Sequence, residues 1–261
     1  MRARRLTQPF TPDAQALPPN SQAPRVRSPR TTSPPPPEER LIHRRPIVLV
    51  HGTRTSSAIW RRQVDALERS GHPTIALDLP GHGLRASERF SLEGALEAIG
   101  AAVDSCPEPP LLVGLSLGGY TSLAYARQHG DRIAGVVLAG CSTEIKGKPL
   151  GAYRRASGMV TRALRLGGPD WNVVTDMLTE LAGYSPLADL RRTAVPVWLV
   201  NGRRDPLRLD ERRYLDARPG TRLTIVPGAG HDVNSHAPVA FNRILLDALH
   251  ELRNRGGLAI A

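Results

Sequence analysis

The stretch Leu111-Leu112-Val113-Gly114-Leu115-Ser116-Leu117-Gly118-Gly119-Tyr120 decides how this chain is read. Three apolar residues make a strand-like run, Gly-x-Ser-x-Gly follows at 114–118, and a helical pattern runs from Thr121 to His129. A strand that enters a helix through so tight a turn forces Ser116 into strained backbone geometry and lifts its hydroxyl above the sheet. Positions 114 and 118 need glycine because side chains there would collide where strand and helix approach. The helix also points its N-terminal dipole at the turn, which favours developing negative charge. Ser116 is therefore read as a nucleophile.

A serine hydroxyl is a weak nucleophile and needs a base. Working outward towards the C-terminus, the run Pro196–Val200 reads as a strand that ends in Asn201-Gly-Arg-Arg-Asp205-Pro206. The next strand, Leu223–Val226, ends in Pro227-Gly-Ala-Gly-His231-Asp232. Both loops leave strand ends, so Asp205 and His231 reach the same rim as Ser116. His231 is the expected base and Asp205 the acid that orients its ring. Glu144, after the preceding strand, is the alternative acid. Asp205 is preferred because it sits at a tight strand exit with Gly202 before it. His236 is placed at a helix start.

Towards the N-terminus, the strand Pro46–Val50 runs into His51-Gly52-Thr53. An acyl-transfer oxyanion needs two preorganised N–H donors. Leu117, after the nucleophile, is expected to supply one and Thr53 the other, each through its backbone. His51 is read as fixing its loop rather than as a catalyst. Asp78-Leu-Pro-Gly81-His82-Gly83 reads as another tight strand exit beside the site. No His, Cys or carboxylate spacing suggests a metal.

The remaining pattern alternates strand and helix. Thr74–Asp78 and Ile133–Ala139 are further strands, and Ser56–Arg69, Ser91–Val103 and Ala240–Leu252 are helical. Several strand runs are apolar without alternation, as in a parallel sheet covered on both faces. Residues 144–192 break the alternation with helical segments only, Tyr153–Leu166 and Asp170–Leu181, and Pro169 starts the second. An insertion there sits at the loop end of the sheet, so it is read as a small cap. Its apolar residues, among them Met159, Trp171, Met177 and Leu178, either pack the cap or line an apolar pocket. Arg154, Arg155, Arg162 and Arg165 are read as a solvated face. Trp60 is assigned either to core or to pocket.

Residues 1–40 hold ten of the 24 prolines and seven Arg against three acids, with few large apolar residues. Such a segment cannot bury enough surface to offset chain entropy and is expected to be disordered, leaving 41–261 as the folded domain. The net charge of +11 comes almost wholly from Arg, since only Lys146 and Lys148 are lysines. That bias matches the codon usage of a GC-rich genome, and no basic stripe with interleaved aromatics suggests a nucleic-acid partner. No apolar run approaches the roughly 20 residues of a membrane helix. Two cysteines, Cys106 and Cys141, are too few for a disulfide framework and suit either a reducing compartment or indifference to redox state; a cytoplasmic setting is expected.

Taken in order, the His51-Gly52 loop, Asp78-Leu-Pro-Gly-His-Gly83, Gly114-Leu-Ser-Leu-Gly118, the Asp205 loop and the His231 loop resemble the α/β-hydrolase fold superfamily. The resemblance covers about residues 46–255. It implies an α/β fold with helices on both faces of the sheet and a small helical cap. It also implies cofactor-free hydrolysis through an acyl-enzyme on Ser116. Within the superfamily the chain looks like small capped esterases, enol-lactonases and perhydrolases. Dehalogenases and epoxide hydrolases look similar but carry aspartate where this chain has Ser116. The two antiparallel strands usual at the start of that fold have no counterpart before Pro46, so about six mainly parallel strands are expected. The expected substrate is a small carboxylic ester, lactone or thioester with an apolar portion. The alternatives on the same residues are an acyltransferase, a perhydrolase, a C–C bond hydrolase or a non-catalytic binding protein.

Overall fold

The computed structural model of the chain describes residues 44–148 and 169–258. The expected helix Tyr153–Leu166 and the segment 1–40 lie outside the described residues. Six strands, β1 (Ile47–Val50), β2 (Thr74–Leu77), β3 (Leu111–Leu115), β4 (Gly135–Ala139), β5 (Val197–Gly202) and β6 (Arg222–Val226), form one sheet. Their spatial order is β2-β1-β3-β4-β5-β6, and every pairing is parallel.

Period-two alternation divides the core between the two faces. Val48, Val50, Leu112, Val136 and Leu138 point to one side and pack with Ile99 of α2 (Leu92–Asp104) and Tyr125 of α3 (Leu117–Gln128). Ile47, Leu49, Leu111, Val113 and Leu115 point to the other. There they meet Leu67 of α1 (Arg61–Arg69) and Phe241, Leu245 and Leu249 of the C-terminal helix Pro238–Leu258. Each fully buried side chain of this size contributes about 1.5–3 kcal/mol. Burial on both faces explains why β1, β3, β4 and β5 are continuous apolar runs.

Between β4 and β5 lie α4 (Pro169–Glu180) and α5 (Pro186–Arg192). Pro186 opens α5, and the Ser185 hydroxyl accepts from the Ala188 N–H at 3.2 Å, a side-chain cap. Two short helices absent from the sequence reading follow: α6 (Glu211–Ala217) after β5 and α7 (Val233–His236) after β6. The C-terminal helix is α8. His236 therefore closes α7 instead of starting a helix. The expected start of α3 at Thr121 is also corrected, to Leu117. Gly118 and Gly119 are poor helix formers and hid its first turn. Tertiary packing demands them there, as the site makes clear.

The chain leaves β1 for β2 on one side and returns to β3 on the other. The reversal sets the C-terminal ends of β1 and β3 side by side, Val50 opposite Gly114. An open parallel sheet presents its ligand crevice at such a point.

Candidate active site

Ser116 occupies the turn between β3 and α3 with φ 54° and ψ −114°, a left-handed conformation that L-residues avoid. Its N–H donates to Ala139 O at 2.8 Å and ties the turn to β4. The flanking glycines are required by contact. A Cβ at 114 would overlap the Gly118 carbonyl, and a Cβ at 118 would overlap the carbonyls of Val50 and His51. A Cβ at 119 would overlap the Cys141 sulfur.

His231 starts far from Ser116. Three strand spacings, roughly 14 Å, separate β6 from β3, so the loop after β6 must run back across the sheet. Two glycines open its path. At Gly202 a Cβ would overlap the carbonyls of Ala229 and Gly230. At Gly140, whose φ is +59°, a Cβ would lie 3.3 Å from the His231 ring. The ring arrives with Nε2 2.9 Å from Ser116 Oγ and Nδ1 3.0 Å from Asp205 Oδ2. A carboxylate can only accept, so Nδ1 carries the proton and Nε2 is left to accept from the serine hydroxyl.

Asp205 is buried, and its other oxygen accepts from the Leu207 N–H at 2.8 Å. Its loop is tied to the exit of β4. Asn201, fully buried at the end of β5, donates to Ser142 Oγ at 2.8 Å and to Glu211 Oε1 at 2.6 Å. The Asp210 N–H donates to Ser142 O at 2.9 Å, and Thr143 Oγ1 donates to Leu207 O. The fold brings Ser116, His231 and Asp205 within hydrogen-bond distance in series, while Glu144 is engaged elsewhere. Its carboxylate accepts from the Leu187 N–H at 3.1 Å, at the N-terminus of α5, where the helix dipole favours an anion.

The ends of β1 and β3 are adjacent; Thr53 lies in the loop after β1 and Leu117 opens α3 just past β3. Among the described residues neither N–H has a backbone acceptor. Gly52 lets the two loops close up, since a Cβ there would sit 3.3 Å from that of Ser116. The Thr53 hydroxyl donates to Met177 Sδ of α4 at 2.9 Å, so α4 reaches the loop after β1 directly. Arg89 forks onto Asp176, Glu180 accepts from the Leu92 N–H at 2.9 Å, and Val173 packs against Gly81, fixing α4 to the segment after β2.

His51 is wholly buried. Its Nε2 accepts from the Leu79 N–H at 3.1 Å, while Nδ1 donates to Gly52 O at 2.8 Å. Burial pushes its pKa down to about 4, against the pull of the Gly52 carbonyl, so the ring is neutral near pH 7 and fixes its loop. Burial raises the Asp78 carboxyl, but the N–H groups of Ser57 and Leu84 outweigh it and hold the group below its usual range. Trp60, assigned to core or pocket, stacks on Phe241 at 6.0 Å and is core. Among the described residues no three His, Cys, Asp or Glu side chains gather as metal ligands, and no helix is long and apolar enough to cross a membrane. The sequence reading missed Gly140, Asn201, Ser142 and the Met177 contact. All act through space, and nothing local in the sequence marks them.

This fold and this arrangement define a class. Residues 47–244 match the alpha/beta hydrolase family, and the chain belongs to it. It is 28% identical over 231 residues to a pimeloyl-acyl-carrier-protein methyl ester esterase from Neisseria meningitidis (serogroup A), covering 71% of this chain and 70% of that protein. Among solved structures it resembles a monoacylglycerol lipase from Paleococcus ferrophilus, with a TM-score of 0.62, 22% identity, and 80% and 95% of the two chains covered. It also resembles NosK from Streptomyces actuosus, with a TM-score of 0.65, 23% identity, and 80% and 99% covered. Both likenesses are of fold.

Proposed function

We propose that the protein is a serine hydrolase that cleaves a small carboxylic ester, lactone or thioester through an acyl-enzyme on Ser116. The observation that carries this reading is the unbroken hydrogen-bonded line from Ser116 Oγ through His231 to Asp205 Oδ2. Ser116 Oγ attacks the acyl carbonyl carbon and passes its proton to His231 Nε2. Asp205 stabilises the imidazolium and keeps the ring oriented. The carbonyl oxygen becomes an oxyanion held by the N–H groups of Thr53 and Leu117. The intermediate collapses, the bond to the leaving group breaks, and His231 returns the proton to that group. Water then attacks the acyl-enzyme, with His231 again as base, and releases the carboxylic acid and Ser116.

In this reading the helix α4 belongs to a cap, and Met177 forms part of the pocket wall for an apolar acyl or alkyl group. The Neisseria relative is named for a methyl ester, which supports an ester substrate. A reducing, cytoplasmic setting is part of the proposal and rests on the two free cysteines, Cys106 and Cys141. The test is hydrolysis of p-nitrophenyl esters from acetate to dodecanoate by wild type and Ser116→Ala. Turnover that vanishes in Ser116→Ala supports the reading, and the preferred chain length sizes the pocket. Equal turnover by both proteins overturns it.

A further inference from the structure

We infer that His236 is a positioning residue for His231, acting through the backbone of Gly230; this rests on the serine-hydrolase reading. The Gly230 N–H, the last donor before His231, points at His236 Nδ1 at 3.1 Å. On its other side the Gly230 carbonyl is pressed against Gly202 so closely that a Cβ there would overlap it. Gly230 is therefore fixed from both sides, and His231 extends from that fixed point to reach Ser116 and Asp205.

The post that holds Gly230 is itself anchored. The chain folds back immediately after His231: the Val233 N–H donates to His231 O at 2.9 Å and the His236 N–H to Asp232 O at 2.9 Å. α7 is then pinned to α1 and to the residues just before it. Gln63 of α1, fully buried, donates from Nε2 to Asn234 O at 3.1 Å, and Asn234 Nδ2 donates to Ile59 O at 3.2 Å. The imidazole of His236 is exposed. Its contribution is thus an acceptor at a fixed place, not core packing. Without it the Gly230 N–H turns to water, and the loop bearing the base gains freedom in a site where misplacement of about 1 Å is costly.

The test is the kinetics of fluorophosphonate labelling, read as kinact and KI, for wild type, His236→Asn, His236→Phe and His236→Ala, with Ser116→Ala as control. Asparagine keeps an acceptor one bond from Cγ, where histidine has Nδ1; phenylalanine and alanine do not. The expected result is that His236→Phe and His236→Ala lower kinact about tenfold with KI unchanged, while His236→Asn stays within about twofold of wild type. Wild-type kinact in both acceptor-less variants overturns the inference, as does an equal loss in His236→Asn. Those outcomes leave the hydrolase reading standing, provided Ser116→Ala is not labelled. A wild type that takes no label, or a Ser116→Ala variant that labels equally, overturns the hydrolase reading and this inference with it.

Discussion

Ser116 holds a backbone conformation that costs on the order of 1–3 kcal/mol and that only a packed surrounding can enforce. Asp205→Asn tests the line that leads from it. An asparagine would offer its NH2 or a neutral oxygen to Nδ1 and favour the wrong imidazole tautomer, so kcat should fall on the order of 10³–10⁴ with the fold unchanged. Steady-state kinetics beside Glu144→Gln check this; Glu144→Gln should stay active, since Glu144 caps α5. His51 carries a different prediction. Its folded pKa of about 4 lies below the ordinary value of 6.5. The unfolded chain therefore binds the extra proton between those values, and stability falls as pH drops through that window, by about 3 kcal/mol in all. Urea unfolding from pH 7 to 4 should show a shallower loss in His51→Gln than in wild type. His72, also depressed by burial, contributes in the same direction to both proteins and cancels in the comparison. At this scale Ser116 was legible because its pentapeptide sits between strand and helix. Asp205 and His231 were legible because each follows a strand end. Gly140 and Asn201 were not, because their partners lie across strand order rather than along the chain, and His236 was not, because only the folded loop turns it back onto the Gly230 N–H.

Elements set how closely those residues can meet. α3 crosses β1 at Gly118, where the carbonyls of Val50 and His51 leave no room for a methyl group. Gly118→Ala should cost about 1–3 kcal/mol by overpacking and reduce activity, as thermal melts and kinetics on the same sample will show. The helix α4 is held by Asp176 and Glu180, and Met177 touches Thr53. Asp176→Ala should therefore raise KM for long acyl esters more than for acetate. An equal change along the series would mean that α4 does not line the acyl pocket. The strands were legible from their apolar runs. The start of α3 was not, because its two glycines suppress the helical signal that tertiary packing then overrides. α6 and α7 are too short, at seven and four residues, to show a periodic face.

Across the whole molecule the sheet separates two half-cores, one under α2 and α3 and one under α1 and α8. Ile99→Val on the first should cost about 0.5–1.5 kcal/mol and Leu245→Ala on the second about 2–5 kcal/mol. Because β1, β3 and β4 stand between them, the two should add to within about 0.5 kcal/mol in urea unfolding. A coupling well above that would mean the sheet transmits strain between its faces. The alternation of strand and helix made this layering legible, while the crossing of the His231 loop over β5 and β4 emerged only from the assembled sheet. Whether the fold activates the Ser116 hydroxyl is tested by a single measurement. Wild-type protein is treated with a fluorophosphonate, and the label is located by peptide mass spectrometry before and after urea denaturation. One label per chain is expected, on Ser116, lost when the protein is unfolded first. Label on another residue, or on Ser116 equally in the unfolded chain, would contradict it.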